Sequence, residues 1–269
     1  MAPAGTRYTH GHHESVLQSH RWRTAENSAG YLLPHLTGGM SLLDVGSGPG
    51  TLTADLAARV APGRVTATEP DGTVLELTRQ EITRRGLTNV DLAVADVHGL
   101  DLPDGVFDVV HAHQVLQHVA DPVRALREMR RVCRPGGIVA ARDGDYASFT
   151  WYPSVPELSE WLALYRRAAR ANGGEPDAGR RLLSWARAAG FTEIAPSAST
   201  WCFATPADRQ WWAGMWARRI RESDLARQLL ATGAATPADL DRIADGWLTW
   251  AGDPDGWLVI PHGEILCRP

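Results

Sequence analysis

Apolar positions along this chain switch back and forth between strand spacing and helical spacing, and the switches mark out its elements. Leu42–Val45 is a short apolar run that reads as a strand, and Leu52–Val60 repeats its apolar residues at helical intervals. Arg64–Glu69 alternates β-branched residues, Val90–Ala95 and Phe107–Ala112 read as two further strands, and Pro122–Val132 reads as a helix. Arg134–Gly137, RPGG, then opens a fifth strand at Ile138–Arg142. Strands alternating with helices predict a parallel sheet covered on both faces. Upstream, Ala25, Ala29, Leu32, Leu33 and Leu36 give Thr24–Leu36 a helical period that stops before Gly38 and Gly39. Downstream, Pro156–Ala171 and Ala178–Ala189 predict helices, the second closed by Gly190, and Phe191–Phe203 predicts a sixth strand interrupted by Pro196. Pro206–Leu230 and Pro237–Trp250 follow as helices with proline in the first turn, and Trp257–Cys267 as the last strand.

Between Val45 and Leu52 the chain turns from strand to helix through Gly46, Gly48 and Gly50. Such a turn needs glycine where backbone approaches a ligand that a Cβ would strike. The dinucleotide fingerprint spaces its third glycine three residues after the second, whereas here the spacing is two. Asp44, two residues before the first glycine, suits a ligand with a cationic or hydrogen-bond-donating part. Glu69 ends the second strand about twenty residues beyond the loop, where an acid accepts the two hydroxyls of a ribose.

The stretch DVGSGPG at Asp44–Gly50 resembles motif I of the class I S-adenosylmethionine (SAM) dependent methyltransferases, and Val94–Asp143 is similar end to end to their ubiquinone/menaquinone-biosynthesis-like (methyltransferase type 11) branch. The resemblance implies an α/β fold: a Rossmann-like, seven-stranded, mostly parallel sheet with helices on both faces. It implies an antiparallel hairpin of strands six and seven at one edge, an N-terminal helical lid and a helical insertion before the last strand. Residues 1–40 are then the lid, 41–204 with 256–269 the SAM-binding core, and 205–255 the cap. The cofactor implied is SAM, released as S-adenosylhomocysteine. Asp44, Gly46, Gly48 and Gly50 would line its methionine end, Glu69 beside Pro70 would take the ribose, and Asp96 with the Val97 backbone would read the adenine edge. His113 and Gln114 would contact the methionine amino group or face the acceptor.

Amino-methylases of this fold that act on DNA or protein carry Asn or Asp, two prolines and an aromatic after strand four. This chain has Ala112-His113-Gln114-Val115 there, and none of its cysteines follows a proline, as cytosine C5 chemistry would require. A small-molecule acceptor, such as a natural product, fits better. Methyl transfer from a sulfonium is an in-line displacement, so the protein mainly aligns the nucleophile and removes a proton. His118, in LQHV, matches the position where several sugar and natural-product methyltransferases place a histidine; Asp143 in AARDGD could orient or assist it, and His113 is the third catalytic candidate.

Composition narrows the picture further. A net charge of −4 over 269 residues leaves no electrostatic footprint for nucleic acid. Three scattered cysteines predict reduced thiols, and the lack of a long apolar run predicts a soluble, cytoplasmic protein, monomeric or homodimeric, with no membrane partner. The histidines at 10, 12 and 13, and at 111 and 113, lack the convergent partners of a metal site, so no metal is expected. Ten of the eleven tryptophans follow Thr150. On the inserted helices they form a candidate acceptor wall, suited to a flat polyketide, a prenyl chain, a quaternary amine or a carbocation, or else they pack the helices together. Two other functions share the glycine turn: a non-catalytic SAM-binding protein and, against the glycine spacing, a nicotinamide oxidoreductase.

Overall fold

The computed structural model describes Tyr8, Thr9 and residues 13–269. The N-terminal segment, expected to be a lid, contains α1 (Glu14–Arg21), which the sequence pattern does not announce, followed by α2 (Ala25–Ser28) and a 3₁₀ turn at Leu33–His35. The single helix expected over Thr24–Leu36 is thus broken, because Ala29 leaves the helical region (φ −136°). The alternating core then runs β1 (Leu42–Val45), α3 (Thr51–Val60), β2 (Val65–Glu69), α4 (Gly72–Arg84), β3 (Val90–Val94), β4 (Phe107–His113), α5 (Pro122–Val132) and β5 (Cys133–Gly144). The remainder is β6 (Thr150–Tyr152), α6 (Pro156–Ala171), α7 (Leu182–Ala188), β7 (Glu193–Phe203), α8 (Pro206–Glu222), α9 (Asp224–Ala231), α10 (Pro237–Gly252) and β8 (Trp257–Arg268).

The strands lie in the order β3-β2-β1-β4-β5-β8, with β1 to β5 parallel and β8 antiparallel to β5. The long β7 pairs along β8, which forms the expected antiparallel hairpin edge. Among the described residues there are eight strands rather than seven, because Thr150–Tyr152 pairs with the start of β8 where that strand runs past β5. Pro196 does not interrupt β7: the strand pairs only along β8, and an outer edge tolerates a residue without an N–H. The helix expected over Pro206–Leu230 breaks at Ser223, whose backbone is extended (ψ 177°) and whose hydroxyl donates to the Arg219 carbonyl at 2.7 Å. No glycine or proline marks that break.

Three apolar clusters hold the layers together. Leu32 and Leu36 of the lid and Leu56 of α3 pack on one sheet face against Leu42, Val109 and Ile138. Leu126, Met129 and Leu182 cover the opposite face over Val110, Val139 and Ile265. The third cluster joins α6, α8 and α10 through Trp161, Trp216, Trp247 and Trp250 and takes in α9 through Leu225 and Leu229, so α6, expected in the core segment, packs with the helices expected to form the cap. Cys133, Cys202 and Cys267 are free thiols, and no helix among the described residues is long and apolar enough to cross a membrane.

Candidate active site

Parallel strands open a crevice at their carboxyl ends, and here the glycine turn, the lid and the cap close around a cavity of ≈ 1220 Å³ on that edge. Ligand pockets typically span about 300–1,000 Å³, so the space admits a nucleoside cofactor and a second molecule. The glycine turn is shaped by contact as well as conformation. At Gly46 (φ +71°) a Cβ would lie 2.5 Å from Val115 Cγ2, and at Gly50 (φ +84°) it would lie 2.8 Å from the Thr78 Cα. A Cβ on Gly48 would meet nothing closer than His20 Nδ1 at 3.7 Å, so this residue faces open cavity and leaves room for a ligand against the backbone.

Asp44 borders the cavity but is nearly covered. Its carboxylate accepts from the Thr53 hydroxyl (2.6 Å) and from His111 Nδ1 (2.8 Å), which pins the start of α3 to β1 and β4. Its first task is therefore to brace the loop. Glu69 does face the cavity, beside Pro70, and accepts from the Gly48 N–H at 3.1 Å. Burial raises its carboxyl to about 7, with the Gly48 N–H opposing the rise. Ribose hydroxyls donate more strongly to a carboxylate than to its protonated form. Affinity for S-adenosylhomocysteine should hence be greatest above this value and weaken by up to about tenfold per pH unit below it, until Glu69 titrates in the complex as well. Calorimetry across that range checks this, and Glu69→Gln should flatten the dependence.

Asp71 caps α4 through the Thr73 N–H. Asp96 lies at the rim, largely exposed, accepting from the His98 N–H and ring. Val97 turns its side chain into the core and does not line the cavity.

The end of β4 supplies the next group. His113 is 6% exposed, lines the cavity beside Trp201, and has neither ring nitrogen hydrogen-bonded; burial holds it well below the usual imidazole range. Gln114 adopts φ +54°, and its side chain reaches Arg23 (2.7 Å) and His262 (2.9 Å). His118 closes the 3₁₀ turn Leu116–His118, lines the cavity against the edge of Tyr8 and contacts Gln117 Nε2 through Nε2 at 2.9 Å. Burial first, then Arg23, lowers it to about 3, so the ring is neutral. Asp143 is buried behind that turn and does not line the cavity. Its carboxylate accepts the Gln117 N–H (3.0 Å), and burial raises it to about 7. The structure therefore places it behind His118, holding the turn.

The other side of the cavity comes from the lid and cap. Arg219 of α8 donates to the Ser15 carbonyl (2.7 Å) and the Ser19 hydroxyl (2.8 Å) of α1, and Trp201 Nε1 donates to the Asn27 carbonyl (2.7 Å). Trp212 and Trp216 line the cavity, whereas Trp247 and Trp250 are buried among the helices. Sequence reasoning missed Tyr8, Arg23, Tyr146 and Arg219. The available signal for Arg219 was helical spacing, since it shares a stripe with Trp212 and Trp216. Of the early histidines, His10 and His12 lie outside the described residues, and His13 caps α1.

A glycine turn between β1 and α3, an acid ending β2 and a single large cavity on the carboxyl edge make the arrangement of a SAM-dependent methyltransferase. A methyltransferase-domain family model matches residues 43–141. Over 97% of its length the chain is 35% identical to an uncharacterized methyltransferase of Schizosaccharomyces pombe, covering 96% of that protein. It is also 39% identical over 171 residues to the ubiquinone/menaquinone biosynthesis C-methyltransferase of Idiomarina loihiensis, across 58% of this chain and 68% of that one. The [4+2]-cyclase SpnF shares the fold with a TM-score of 0.54 at 22% identity, over 99% of this chain and 86% of that one. The chain belongs to the SAM-dependent methyltransferases, in the ubiquinone/menaquinone-biosynthesis-like branch, and solved proteins of this fold hold SAM or S-adenosylhomocysteine.

Proposed function

We propose that this enzyme methylates a small, largely apolar molecule, such as a natural product, held between the cap tryptophans and the glycine turn. The observation that carries this is the lining of the cavity. Gly48, Glu69 and Asp96 line it together with the aromatic side chains Trp212, Trp216, Tyr146 and Phe149, with His118 also on the wall. Bound SAM supplies a methyl group on a positively charged sulfur, which becomes a neutral thioether as the acceptor lone pair takes the methyl. Glu69 and the Gly48 backbone orient the nucleoside end. The lid, tied to the cap by Arg219, excludes water. The Trp212 and Trp216 faces hold the acceptor flat, and neutral His118 takes the proton released from it. Gln117 fixes that ring from beside it and Asp143 fixes Gln117 from behind, so Asp143 serves as a positioning residue. The test is product formation: with labelled SAM and a panel of planar phenols, enols and acids, label should pass into a low-mass product. Label remaining on SAM across the panel, with the cofactor bound, would count against the reading.

A further inference from the structure

Arg219 is 3% exposed, lines the cavity and stacks its guanidinium over Trp216 at 4.5 Å. Its Nη2 is used by the α1 carbonyl and hydroxyl, and its buried Nε has no partner. A buried cation needs a counter-charge. Among the described residues no carboxylate bonds to Arg219, and the ionisable groups that face it are the phenols Tyr8, Tyr146 and Tyr165. Burial raises all three, so they are neutral and cannot serve. Arg23 is in the same position, with a buried unpartnered Nε and no carboxylate partner among the described residues. The two differ in what they adjoin. Arg23 is bonded to Gln114 at the end of β4, on the cofactor side, where the single carboxylate of SAM can answer it. Arg219 stands on α8 with Trp212 and Trp216, on the aromatic part of the cavity wall. The acids of the cavity wall, Asp44, Glu69, Asp71, Asp96 and Asp121, belong to β1, to the ends of β2 and β3 and to the start of α4 and α5.

We propose that the methyl acceptor is an anion, a planar apolar molecule whose carboxylate, separate from the group that is methylated, pairs with Arg219 beside Trp216. This rests on the reading of the cavity as a methyl-transfer site. The ion pair orients the acceptor across the tryptophans, and its negative charge offsets the effect of Arg23 on His118.

Two probes of equal shape and unequal charge test it: naphthalene carboxylate and naphthalene carboxamide, titrated calorimetrically into protein saturated with S-adenosylhomocysteine. The carboxylate should bind at least about tenfold more tightly than the carboxamide. Arg219→Met should remove that preference while leaving S-adenosylhomocysteine affinity within about twofold, and Arg219→Lys should retain part of it. Equal binding of both probes by the unaltered protein, binding of neither, or a preference that survives Arg219→Met overturns the proposal. The unaltered protein decides the matter even if the methionine variant fails to fold. Absence of S-adenosylhomocysteine binding would strike the methyl-transfer reading itself, whereas normal binding of it with no charge preference strikes only the role of Arg219.

Discussion

With alanine at position 118, turnover should fall by about 10²–10⁴ while SAM affinity stays within about twofold, because removal of the proton acceptor slows chemistry and leaves the glycine turn intact. Steady-state rates alongside calorimetry separate the two quantities. The ring is well suited to accept a proton in one respect and poorly in another. Burial and Arg23 keep it neutral, at about 3, yet its basicity is weak until an anion lies beside it, and Nε2 must exchange its contact with the Gln117 amide for the proton of the acceptor. Consequently an acid limb near 7 in kcat/KM would belong to Glu69 or Asp143 and not to His118. A loss smaller than about tenfold would mean that the group to be methylated arrives already deprotonated and His118 merely shapes the pocket.

Trp247→Ala should cost about 3–5 kcal/mol of folding stability, read by urea unfolding. The side chain is fully buried, edge-on to Trp161 (4.9 Å) and Trp250 (5.9 Å) and stacked on Trp216 (6.2 Å), and no smaller residue refills that volume. Its indole N–H has no partner, so deletion also removes an unsatisfied donor, which favours the lower end of the range. Because Trp247 does not line the cavity, the protein that remains folded should bind S-adenosylhomocysteine normally. A cost below about 1 kcal/mol would show that the helices of the cap are held by something other than this aromatic cluster.

What could be read from the chain divides along physical lines. The glycine turn, the acid of β2 and the strand and helix alternation are local, since spacing and backbone demand at Gly46 and Gly50 express themselves over a few residues. Helices α5 and α6 begin and end where their periodicity and leading prolines place them. The break at Ser223 escaped because a serine hydroxyl bonded to the Arg219 carbonyl stops α8 without any helix-breaking residue. Asp143 reads in the sequence as a residue that could orient or assist His118, but that its side chain reaches the Gln117 N–H of the 3₁₀ turn is a contact between elements that spacing along the chain does not reveal. The tryptophans were legible as a group and not one by one: Trp212 and Trp216 serve both cavity and core, while Trp161, Trp247 and Trp250 serve the core alone. Arg219 was invisible as a site residue, since a surface arginine on a helix and a buried one without a counter-ion read alike until the partners are known.

The most direct test of the account is stoichiometry: incubate the protein with labelled SAM and a planar acidic acceptor, and quantify S-adenosylhomocysteine and labelled product together. Equal molar yields of the two, lost together in the His118→Ala protein, are the expected result. S-adenosylhomocysteine or SAM bound tightly, with no label transferred to any acceptor, would contradict it and leave a SAM-binding protein without the chemistry.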